Sequence, residues 1–232
     1  MIFSVQPVEQ RFFGWRIVAA AFTVLFVVYG VQFSFGTFVG DVVKDTGWSE
    51  SRLQLIFAIY IGLYSALSAV SGWLTDRLGP RPIVAVGALL LTSGYLLWAT
   101  ANSLVVVAIG MAVVAPLGMS CSWVPCNATV VRWFVVRRGF ATAVATAGGS
   151  LANILVPPVA AVLVSAYGWR VAILIMSVAG GACMLASSVV LERDPEGIGQ
   201  QPDGQIRATV DIQPDLLKGM TPAEAWRNPV SY

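Results

Sequence analysis

The chain has 232 residues, 57% of them hydrophobic and 11% charged, with a formal net charge of +2 and a mean hydropathy of +0.76. Soluble domains carry about a quarter charged residues, so this composition describes a polytopic membrane protein in contact with a lipid bilayer. The near-neutral balance gives nucleic acid nothing to bind, and with no histidine the commonest general base and metal ligand is missing.

Met1 to Phe13 read as a short cytoplasmic tail, 1–13. A first span is predicted from Trp15 to Val39, too long and too apolar onward to be a cleaved signal peptide. Asp41, Lys44, Asp45 and Glu50 then form a loop. The second span runs from Leu53 to Leu74 and the third from Ile83 to Ala101, each about the ~20 residues a crossing needs. Between them lies a charged turn, Gly72 to Pro82, which sets Asp76, Arg77 and Arg81 among the glycines Gly72 and Gly79. Gly72 leaves room for a neighbouring helix, and Asp76 suits the positive end of a helix start. An ordinary positive turn that only fixes topology is the alternative reading.

A tight Asn102-Ser103 connection leads to a fourth span, Leu104 to Val131, interrupted by Pro116 and Pro125. Its exit is a second basic loop with Arg132, Arg137 and Arg138. The fifth span reaches Tyr167 and is expected to bend at Pro157-Pro158. Gly168-Trp169-Arg170 makes a turn, and the sixth span ends near Leu191. The bundle therefore covers 14–191, and 192–232 reads as a solvated cytoplasmic linker.

Short loops on the amino-terminal side hold Arg11, Arg16, Arg77, Arg81, Arg132, Arg137 and Arg138, against Lys44, Arg52 and Arg170 on the other. This bias puts both termini in the cytoplasm, and the plasma (inner) membrane is the expected location. Small residues recur at helical spacing, as Ala58, Gly62 and Ala66 on the second span. On the fifth, Ala141, Ala145 and Gly149 are continued by Asn153 and Pro157. Both are ridges along which helices can meet.

All twelve acidic residues fall outside the predicted spans, and no span interior holds Lys or Arg. The usual proton relay or ion-coupling group is therefore absent from this stretch. An integral-membrane enzyme would need clustered acids or histidines at the membrane face, and none exists beyond Asp76. No cofactor or metal is expected, and Cys121, Cys126 and Cys183 read as small packing residues. The interior polar and aromatic groups include Tyr29, Gln32, Trp123, Asn127 and Asn153. Gln32 and Asn153 each need a partner, either another helix or a wet cavity, and both readings stay open.

The spacing of Gly72, Asp76, Arg77, Gly79 and Arg81 between a second and third span resembles the signature loop of the major facilitator superfamily. Gly14-Trp15, Tyr29-Gly30, Phe35 to Phe38, Gly118, Trp123-Val124-Pro125, Arg132 to Phe134 and Arg137 to Gly139 resemble its monocarboxylate transporter branch, oxalate/formate antiporters in particular. Met220 to Pro229 is similar as well. The resemblance implies an all-α membrane fold, the amino-terminal half of a facilitator with two inverted three-helix repeats. It implies transport of small organic anions by alternating access, with the charged turn as a gate and a cavity on the first, fourth and fifth spans. Tyr29, Gln32, Trp123, Asn127 and Asn153 are the expected cavity residues. The sequence departs from the family at Phe33, where animal members carry a lysine, and at Val107 to Gly110, where many carry an arginine. Family members have twelve spans, so a separate or missing six-span half is an expected partner. The alternative is a truncated, non-transporting membrane protein or assembly partner.

Overall fold

The computed structural model describes residues 12–204. The tail up to Arg11 and the linker from Gln205 onward, with its Met220 to Pro229 stretch, lie outside the described residues. The first crossing joins α1, Gly14–Phe33, to α2, Phe35–Thr46. Ser34 between them keeps right-handed helical angles and donates its hydroxyl to the Gly30 carbonyl at 2.7 Å. Asp41, Lys44 and Asp45, expected in a loop, belong to the last turns of α2. Charge does not end a helix; this one stops at Gly47, whose φ of 70° costs glycine little.

The expected charged turn is also mostly helix. In α3, Glu50–Leu78, the helical backbone continues through Asp76 and Arg77. Gly79 alone leaves it, at φ 85° and ψ 166°, and α4, Pro80–Ala99, begins on the next residue. Proline there loses nothing, because the first N–H of a helix has no partner anyway.

The fourth crossing comprises α5, Leu104–Ala108, a π-helical stretch, Ile109–Val114, and α6, Ala115–Trp133. Its irregularities sit upstream of the prolines rather than at them. Cys121 lies four residues before Pro125 and has non-helical angles, φ −80° and ψ 16°. That is the position whose carbonyl a proline cannot satisfy. The π-helical stretch precedes Pro116 in the same way.

Helix α7, Arg138–Val190, has 53 residues, roughly 80 Å if straight. A hydrocarbon core is only about 30 Å thick. The expected bend at Pro157 and Pro158 leaves the backbone helical, and the break falls at Gly168, φ 79° and ψ 161°. The five helices long and apolar enough to cross a bilayer thus supply six crossings. Gly79 and Gly168 share nearly the same backbone angles, one after the second crossing and one after the fifth.

Elements distant in sequence do the packing: α1 lies along α7, α4 against α6 and α7, and α3 against α6. Lipid gives helices no hydrophobic reason to associate, so close fit must hold them. A Cβ on Gly94 would stand 2.7 Å from the Ala115 amide nitrogen, and one on Gly118 would strike the Leu91 amide. Gly148 lets α7 rest on the Phe22 carbonyl of α1.

The ridge expected on the fifth span is buried at Ala141, Ala145 and Gly149, but continues through Ala152 rather than the exposed Asn153. The ridge expected on the second span faces away from the bundle. Ala58, Gly62 and Ala66 are exposed, and nothing lies within 4 Å of a Cβ built on Gly62. The inward face of α3 is instead Leu53, Ile56, Tyr60, Ser71 and Thr75.

Candidate functional site

The fifth crossing turns Thr146, Ser150 and Asn153 to one side, at the spacing that keeps residues on one helix face. Gly149 sits among them and lets the Tyr29 ring of α1 come in; a Cβ there would stand 2.8 Å from the ring. Tyr29 stacks with Phe33, centroids 5.7 Å apart and planes at 22°. It also meets Trp123 edge to face, 5.8 Å away at 87°. Trp123 follows the non-helical Cys121 by two residues on α6.

Together these side chains line a cavity of about 320 Å³. Its walls differ. Tyr29, Phe33 and Trp123 form an aromatic wall, with Trp123 39% and Phe33 42% exposed. Thr146, Ser150 and Asn153 form a neutral polar wall. The Thr146 hydroxyl donates to the Thr142 carbonyl at 2.9 Å. The Ser150 and Asn153 side chains make no hydrogen bond to other described residues. The cavity is lined by no Lys, Arg, Asp or Glu. A larger groove, about 440 Å³ and lined by residues such as Phe26, Leu155, Val159 and Met176, offers little polar surface to orient a solute.

Of the five expected cavity residues, Tyr29, Trp123 and Asn153 line the cavity. Gln32 does not. Three positions beyond Tyr29, it turns into the protein, is 7% exposed, and its Oε1 has no partner among the described residues. Asn127 also stays out of the lining, and its amide donates to the Trp123 carbonyl at 3.0 Å. Thr146 and Ser150 were missed, although hydroxyls one turn apart on an apolar span were the available signal.

The second assembly is at the basic end of the bundle. Asp76 does not cap a helix start; it lies in the last turn of α3 and accepts from Arg132 at 2.7 Å. Arg132 also reaches Asp194 at 3.4 Å. Arg81 pairs with Glu192 at 2.6 Å, whereas Arg77 lies over the Trp73 ring, 4.0 Å from its centroid. Gly72 faces Val124 of α6, where a Cβ would sit at 3.0 Å, so it does admit a neighbouring helix.

Within the described residues the expected solvated linker folds back onto this end. After α7 come two short 3-10 turns, Pro195–Ile198 and Pro202–Gly204. Trp133 donates its indole N–H to the Glu192 carbonyl at 2.9 Å. Asp203, at φ 58°, accepts from the backbone amides of Val135 at 2.8 Å, Val136 at 2.6 Å and Arg137 at 3.4 Å. Burial alone raises the Asp203 carboxyl, but these amides and the Arg137 charge outweigh it and hold it below the usual aspartate range. Of the expected basic loop, Arg132 is the ion-pairing member. Arg138 donates to the Phe134 carbonyl at 3.3 Å and opens α7.

The sequence matches the Major Facilitator Superfamily across residues 21–229. It is 30% identical to human "Monocarboxylate transporter 11" over 184 residues, 79% of this chain and 37% of that protein. It is 28% identical to "Riboflavin transporter RibJ" of Trypanosoma brucei brucei over 210 residues, 88% of this chain and 38% of that one. A crystal structure of the peptide transporter POT in complex with alafosfalin shares the fold, with a TM-score of 0.62 at 20% identity. That match covers 92% of this chain and 46% of the transporter. The chain therefore spans less than half the length of each of these relatives.

Proposed function

Because the chain belongs to the major facilitator superfamily, we propose that it is the amino-terminal unit of a secondary transporter for small organic anions of the monocarboxylate or oxalate/formate kind. One observation carries this reading: a two-walled cavity, polar on one side, formed where the first, fourth and fifth crossings meet. A site near mid-membrane, between two units that rock against each other, is how such carriers achieve alternating access. The partner is then a second six-span unit that covers the open side of the cavity. The basic end faces the cytoplasm, supported by the Lys and Arg bias of the short loops, and the membrane is taken to be the plasma membrane. Gly72, Asp76, Arg77, Gly79 and Arg81 act as the gate element there, with the Asp76–Arg132 pair as its latch.

The test is cysteine protection. Single cysteines replace Trp123, Ser150 and Asn153 in a background lacking Cys121, Cys126 and Cys183. All three should react with a water-soluble thiol reagent, and lactate, formate or oxalate should slow the reaction. A cysteine at Gln32 should stay unreactive, because that position is buried. If none of the three anions slows labelling at any of the lining positions, the organic-anion reading fails. The neutral lining would then favour a non-transporting assembly partner.

A further inference from the structure

The cavity's two walls say what kind of solute it prefers, given the reading of it as a transport site. A compact anion such as formate or oxalate needs a countercharge, and the residues of this unit that line the cavity supply none, so it would have to come from the second unit. Bringing such a charge into a membrane-embedded pocket without a partner is costly. The aromatic wall offers a different source of affinity. Tyr29, Phe33 and Trp123 already pack by offset stacking and edge-to-face contact, and Trp123 and Phe33 each keep about two-fifths of their surface open. Another flat ring extends that arrangement at the same geometry. Across from it, the Ser150 hydroxyl and Asn153 amide are free to donate to and accept from ring heteroatoms or substituents. The volume, about 320 Å³, is at the lower end of small-molecule sites and is much larger than formate or oxalate would fill.

We propose that this cavity selects solutes bearing a flat aromatic or heteroaromatic ring, seated against Trp123 and Tyr29 with polar atoms toward Ser150 and Asn153. Trp123 is the residue that sets this preference. A carboxylate on such a solute projects from the open mouth, toward the second unit proposed to cover it.

The experiment uses the full chain in lipid nanodiscs and three monoanions of equal charge: benzoate, cyclohexanecarboxylate and lactate. Dissociation constants come from saturation-transfer NMR titrations. Benzoate should bind about tenfold more tightly than lactate and about threefold more tightly than its saturated analogue, the range expected of an aromatic contact. Trp123→Ala should erase both ratios, whereas Trp123→Phe should keep them. Trp123 also meets Tyr29 edge to face, so Trp123→Phe, which keeps an aromatic ring there, controls for the packing that Trp123→Ala removes. Equal binding of benzoate and cyclohexanecarboxylate overturns ring selection, as does a preference that survives Trp123→Ala. Lactate binding without any ring preference overturns this inference and leaves the organic-anion reading standing. Binding of none of the three at millimolar concentration overturns both.

Discussion

At the residue scale, Asp76 and Arg132 allow the proposed gate to be tested apart from the stability of the fold. Their side chains are 63% and 32% exposed, so the 2.7 Å pair contributes at most about 1 kcal/mol to the fold. Asp76→Asn should therefore leave insertion and thermal unfolding nearly unchanged while lowering uptake by the complete carrier; wild-type uptake would remove the gate role. Arg132→Gln should be more damaging, because it releases Asp194 as well as Asp76. Gly149→Ala should displace Tyr29 and weaken solute binding without unfolding the bundle, which a drop in protection of a cysteine at Ser150 would report. Several of these residues were legible in the sequence. Trp123 and Asn153 stand out as polar or amphipathic groups in apolar spans. Gln32 stands out equally, but three steps of about 100° leave it about 60° from Tyr29's direction, and a single sequence carries no reference for that rotation.

At the element scale, the closest joints are those where backbone meets backbone. Gly118→Val would force α6 off the Leu91 amide of α4. Overpacking of this kind typically costs about 1–3 kcal/mol, read as earlier unfolding in a detergent titration. The returning segment gives a second prediction. Because the Asp203 carboxyl is held below the usual aspartate range, its stabilising contacts are present above that range and are lost as pH falls through its lowered value. Asp203→Asn should speed hydrogen exchange at the Val135 and Val136 amides at neutral pH, and unchanged exchange would refute the contact. Element number and order were legible from hydropathy, but element ends were not. The α2 and α3 helices overrun their expected limits because only Gly47 and Gly79 supply a stop. The acidic segment after α7 reads as a linker in composition, since its attachment depends on Arg81 and Arg132, more than fifty residues away.

At the scale of the whole molecule, a reporter fused after Glu192 should be active on the cytoplasmic side only; activity outside would reverse the proposed orientation. The equivalent turns at Gly79 and Gly168 show a regularity that the residues around them hide, because a shared backbone shape leaves little trace beyond one glycine. The partner pattern of the helices has a further consequence, for the time during which the protein is made. The main partner of α3 is α6, which ends about fifty-five residues later, and that of α1 is α7, later still. At roughly 5–20 residues per second, the second crossing waits several seconds on the ribosome before its neighbour exists. Until then its protein neighbours are the smaller contacts with α2 and α4, and most of its surface meets lipid or the insertion machinery. Each segment must consequently be apolar enough to enter the bilayer unaided, and a charge placed on its later-buried face would fail at insertion, before packing is ever tried.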